Sequence, residues 1–288
     1  MDHQAGLEEQ CPHCHLPVPA LYAEIPCPHC GHPLKAPNVR AAQREQQVLA
    51  QRHTDALHKY PDKAQRFDGF MHAINQCTTA VIARSASDCL RLAANDNLLY
   101  ANYYQQIGST QRIPSSSPFD TMRLSVDGLL FPFYEEHILM AALSADGWGL
   151  PHYGDCHLEI KPEMIASRSS VFEQNSLLFL TQVLKPTVGA PAPTGHRACW
   201  EERGKLAVVK HQDDLSADTP PDHYPALLLS PGTQQGQDDQ FIEVHIYGSL
   251  SIRSVAAVRL TSSAESFYVK GLREKLAPLN ILCEQQAA

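Results

Sequence analysis

Cys11-Pro12-His13-Cys14 and Cys27-Pro28-His29-Cys30 are two near-identical turns with twelve residues between them, and they carry the clearest chemistry in the chain. Each turn aims two thiolates at one point, and four soft thiolates form the closed tetrahedral shell of a structural metal. Cys11, Cys14, Cys27 and Cys30 are therefore the predicted ligands of one structural Zn²⁺, although the ligand types would equally accept iron. Four thiolates close the shell, so His13, His15, His29 and His32 are expected outside it and no position stays open for substrate. Two disulfides are the competing reading, and they need an oxidising compartment. A zinc deaminase also carries Pro-Cys-x-x-Cys, as in Pro26 to Cys30, but it needs an upstream His-x-Glu, and none precedes Cys27.

Read onward from Cys27 to Leu34, with Gly31 directly after the last cysteine, the second turn resembles the second half of zinc-ribbon and rubredoxin-type modules. Glycine permits the positive φ of a tight knuckle. The resemblance implies a zinc ribbon over residues 1–35, with residues 16–25 as a hairpin between the turns. So small a segment does not fold without its metal.

A second constellation lies late in the chain. Residues 241–247 alternate as a strand: Ile242, Val244 and Ile246 form an aliphatic face, and Phe241, Glu243, His245 and Tyr247 form the other. Glu243 and His245 then stand about 7 Å apart along that face. A carboxylate beside an imidazole can orient a substrate or shift a pKa; the plainer alternative is a solvated sheet face. Elsewhere, His152, Asp155, His157 and Glu159 match no ligand spacing, and Cys156 and Cys199 read as buried thiols.

A late strand with a key glutamate, then the turn at Gly248 and another strand, resembles the third signature element of bacterial ADP-ribosyltransferases and their toxin relatives. Phe241 stands where that family has Gln or Glu. The resemblance implies that Glu243, with His245 beside it, holds the nicotinamide ribose of NAD and stabilises oxocarbenium-like charge. It implies that Ser167, Ser169 and Ser170 support the pocket, that Arg123, or else His137, grips the pyrophosphate, and that Tyr153 or Phe172 forms an aromatic lid. The expected protein is a zinc-ribbon-containing bacterial effector or toxin that transfers or hydrolyses ADP-ribose. The alternative is a non-enzymatic adaptor in which the ribbon or the connector docks a protein partner.

These side chains require an α+β architecture of three parts: the ribbon at 1–35, a helical connector at 36–94 and a larger domain with an antiparallel sheet at 95–288. Within the connector, strong helix formers between Pro37 and Pro61 predict a helix over 38–60, with apolar residues too sparse for a core. Apolar spacing predicts a second helix over 62–84, and Ser85 or Ser87 caps a third through Leu92. In the domain, residues 134–145, 197–211 and 264–276 read as helices, 162–184 as helix or helix plus strand, and 156–160, 241–247 and 250–260 as strands. Residues 108–118 and 185–195 read as loops.

Charge constrains the partners. Of the net −8, residues 1–34 contribute −4, residues 35–84 contribute +4 and the remainder −8. The balance therefore disfavours non-specific nucleic-acid binding by the whole chain, and only the basic segment 35–84 could engage it. No apolar run approaches the roughly 20 residues that span a bilayer, and residues 1–10 lack a secretory pattern. The expectation is a cytoplasmic protein as synthesised, with delivery to another cell left to a machine that needs no signal peptide.

Overall fold

The computed structural model describes residues 8–19, 26–108, 118–179, 182, 193–216, 218–233 and 238–287. The expected loops at 108–118 and 185–195, and residues 20–25 of the expected hairpin, lie largely outside them. Strands β1 (Glu8–Gln10) and β2 (Pro17–Pro19) pair at the N-terminus. The main sheet contains β3 (Thr79–Arg84), β4 (Ile138–Ser144), β5 (Cys156–Ile160), β6 (Ser169–Phe172) and β7 (Arg197–Cys199). A short pair, β8 (Leu229–Ser230) and β9 (Gln240–Phe241), precedes its last members, β10 (Glu243–Tyr247), β11 (Val255–Leu260) and β12 (Leu282–Gln285). The order is β12-β11-β5-β3-β4-β10-β6-β7. All neighbours are antiparallel except β11 and β12, joined in parallel through a helical crossover. The fold class is mixed α+β, as expected, with β12 an unforeseen parallel edge.

Among the described residues ten α-helices accompany the sheet: α1 (Pro37–Lys59), α2 (Ala64–Cys77), α3 (Ala86–Leu92), α4 (Tyr103–Gly108), α5 (Pro118–Leu130), α6 (Pro162–Ile165), α7 (Ser176–Phe179), α8 (Arg203–His211), α9 (Tyr224–Leu228) and α10 (Ser266–Leu276). The aliphatic face of β10 joins Ile82, Leu143, Leu158 and Val258 in the main core, under Phe67, Phe70 and Ile74 of α2, Leu206 of α8 and Leu272 of α10. A smaller cluster on the other face gathers Val126, Leu130, Phe131, Phe172 and Phe179. None of the described helices is long and apolar enough to cross a membrane.

Several expected helices are strands. Residues 79–84 leave α2 at Cys77 and become β3, in the middle of the sheet. Residues 138–144 are β4 rather than part of a helix, and 197–199 are β7 ahead of α8. The cause is burial on both faces: β3 and β4 read as continuous apolar runs, and the alternation that marks a strand is lost. Ser85 does cap α3, accepting the Asp88 amide at 3.2 Å.

Helix α1 is less solvated than its sequence suggests. Its first turns, Pro37 to Ala42, are buried, and further along Leu49 and Ala56 are too. Asn38 is fully buried, and its amide nitrogen donates to the carbonyls of His245 (2.9 Å) and Arg168 (3.2 Å) and to Ser170 Oγ (3.3 Å). One side chain thus ties α1 to β6 and β10. From the other side Glu9 of β1 pairs with Arg40 and with Arg44 (2.8 Å), fastening the N-terminal strands to the same helix.

Candidate functional site

The four cysteines converge. Cys11 and Cys30 sulfurs are 3.8 Å apart, Cys14 and Cys27 sulfurs 3.9 Å, and all four lie within 4.8 Å of one another. Zn–S bonds of about 2.3 Å in a tetrahedron require sulfur separations of about 3.8 Å, so the donor set fits that ion. Both knuckles place the residue after their second cysteine at positive φ: Gly31 at 71° and, unexpectedly, His15 at 58°. As thiols the ligands split: the amides of Cys14 and His13 hold Cys11 down to about 6, while Cys30, which the His32 amide pulls down, is pushed up to about 12 by burial and its three neighbouring thiols. The histidines stand aside: His13 stacks on His32, and His29 bonds the Pro17 carbonyl.

The second site is a cavity of about 170 Å³ on the face of the sheet opposite the main core. Glu243 of β10 forms part of its floor, α5 brings Arg123 and Asp127, α4 brings Tyr104, and Tyr153 and Asn175 approach from the loops after β4 and β6. Glu243 is 4 % exposed and His245 not at all, so this face of β10 is buried rather than solvated. Glu243 Oε2 accepts the Ser176 amide and His245 Nε2, each at 3.2 Å. Phe131 and Phe172 pack against the imidazole.

Electrostatics assign the protons. Burial pushes Glu243 up, but the hydrogen bond from His245 and the charge of Arg123 outweigh it, so its pKa lies below the ordinary value and the carboxylate is ionised. Burial pushes His245 down, aided by Arg197 and Arg123 and opposed by Glu243, so the ring is neutral and donates from Nε2. Among the described residues its buried Nδ1 finds no hydrogen-bond donor. Burial also opposes charge on Arg123, yet Asp127 (3.5 Å) and Glu243 hold it protonated.

Asp127 is the strained member. Burial pushes its pKa up to about 6, although Arg123 and a 2.9 Å hydrogen bond from the Tyr104 hydroxyl pull it down. A carboxyl with a raised folded pKa favours folding below its unfolded pKa of about 4. That contribution is lost as pH rises through 6. Asp127→Asn is therefore expected to be more stable than wild type at pH 8, by up to about 3 kcal/mol, with the difference vanishing below pH 4. Urea melts at the two pH values measure this, and a variant less stable at pH 8 refutes the assignment.

Among the residues singled out from sequence, Arg123, Tyr153 and Glu243 line this one cavity, and His245 supports it from behind. The serines do not line it. Ser170 lies opposite His245 in the β6/β10 register but accepts from Asn38, Ser169 pairs with Ile246 in the same register, and Ser167 is exposed. Phe172 packs beneath His245 instead of forming a lid, and His137 lies against Tyr247. His152, Asp155, His157 and Glu159 have separate partners in Asp239, the Ala86 amide, the Gly149 amide and Arg259. Sequence reasoning missed Asp127, Tyr104 and Asn175. Asp127 follows Arg123 by four residues, one helical turn, which is the signal that could have found it.

No family model matches this chain, and no curated protein is significantly similar to it.

Proposed function

We propose that the four cysteines hold one structural Zn²⁺ and that the cavity binds NAD⁺ and cleaves its nicotinamide–ribose bond. The observation that carries this reading is the meeting of Arg123 and Glu243, distant in sequence, in one ring-sized cavity where its partners keep the glutamate ionised against its burial. An engineered apolar cavity of about 150 Å³ takes one benzene ring, so the nicotinamide ring fits and the rest of the molecule lies toward the mouth. When the C1′–N bond breaks, its electron pair leaves with nicotinamide. Glu243 stabilises the positive charge left on the ribose, which water or an acceptor nucleophile then captures, giving up a proton. His245 fixes the carboxylate by its hydrogen bond, and Arg123 faces the phosphate-bearing side.

In this reading the protein is a bacterial effector or toxin. Leu16, 48 % exposed on the ribbon, favours a second reading in which the ribbon docks a protein partner. Zinc-loaded protein incubated with NAD⁺, alone and with bacterial lysate, is expected to release nicotinamide. Folded, zinc-loaded protein that releases none in either mixture overturns the enzymatic reading and leaves the adaptor.

A further inference from the structure

The Glu243 cavity has a neighbour. A second cavity, of about 130 Å³, shares Arg84, Tyr100 and Gln106 with the first and continues over Leu92, Leu98 and Leu99. Each chamber is the size of a single ring. The shared wall is polar: the Arg84 guanidinium lies over the Tyr100 ring, 5.1 Å from its centroid. Among the described residues Arg84 Nε is buried without a hydrogen-bond partner, and Tyr100, only 8 % exposed, has the Arg84 guanidinium as the neighbour of its hydroxyl.

Arg84 forms no ion pair among the described residues, whereas Arg123 is held by Asp127 and donates to Met140 Sδ. Asp88, which also borders the second chamber, is engaged by Arg91 and Ser85. Arg84 is thus a cation with spare donors at a joint between two ring-sized spaces. Buried donors without partners are costly, and an anion at the joint removes that cost.

We infer that the two cavities form one bipartite site for a ligand of the dinucleotide class. One ring lies beside Glu243, the anionic linker rests on Arg84, and the second ring lies among Leu92, Leu98 and Leu99. The inference rests on the proposed nucleotide chemistry of the first cavity, and it moves the main linker contact from Arg123 to Arg84.

ADP is the probe, because it carries one ring and the anionic linker and does not need the Glu243 chemistry. Titrated calorimetrically into zinc-loaded full-length protein, ADP is expected to bind, and Arg84→Met to weaken it about tenfold or more. Leu99 is 60 % exposed, so Leu99→Glu leaves the fold intact, and it is expected to weaken ADP comparably by setting a carboxylate at the second chamber. No ADP binding, or binding indifferent to both the Arg84 and Leu99 variants, overturns the bipartite site even if nicotinamide is released. ADP binding that depends on Arg84 and Leu99 without nicotinamide release upholds the bipartite site and removes only the bond cleavage.

Discussion

Glu243→Gln is expected to lower nicotinamide release at least a hundredfold while shifting the melting temperature by only a few degrees. The substitution keeps size and shape, and a glutamine oxygen can still accept the Ser176 amide that Glu243 accepts at 3.2 Å. What it removes is the charge. A buried carboxylate aimed at developing positive charge acts in a low-dielectric site, and losing one such electrostatic partner costs about 10² to 10³ in turnover. KM is expected to rise far less than turnover falls, since the positive charge is spread over the nicotinamide ring in the ground state and moves onto the ribose beside Glu243 only as the bond breaks. Arg123 retains Asp127 as its counter-charge, so the fold loses one favourable interaction rather than stranding a cation. Steady-state kinetics beside thermal melts separate the outcomes: unchanged release in a folded variant removes Glu243 from the chemistry.

The legibility of this site follows from how local each signal is. Four cysteines in two turns announce themselves because ligand spacing lies within a few residues, and their sulfurs do converge. Glu243 and Arg123 were found through the order of elements along the chain, and the cavity brings them together. The role of Asp127 depends on burial supplied by a sheet whose central strands read as helices, so nothing local marked its raised pKa. The serines show the converse. Ser169 and Ser170 sit in a strand covered on both faces, and Ser170 bonds Asn38, some 130 residues earlier in the chain, so a motif-like sequence has a structural explanation. The same double coverage turned β3 and β4 into apparent helices, while β5, with its alternation, and α10, with its helical spacing, were legible.

Removing the metal is expected to unfold residues 8–35 while the eight-stranded domain keeps its structure. Among the described residues, the N-terminal module has a core of Cys11, Val18, Cys27 and Leu34, with Cys14 packed beside it, and its paired strands are three residues each. Such a core is far too small to offset backbone ordering at about 1–2 kcal/mol per residue. Thiolate coordination supplies the difference, about 10–16 kcal/mol for structural zinc sites at neutral pH. Among the described residues the main core draws none from this module, so its cooperative melt persists, less the Glu9 contacts to Arg40 and Arg44. Chelation or Cys27→Ser, followed by hydrogen exchange and limited proteolysis, is expected to expose the segment before α1 and leave β3 to β12 protected. Cobalt substitution reports the ligand set, since four thiolates give intense tetrahedral absorption bands and fewer thiolates give weaker ones. Protection of residues 8–35 that survives complete metal removal would mean that four buried side chains suffice, and the metal would then be ornamental to the fold.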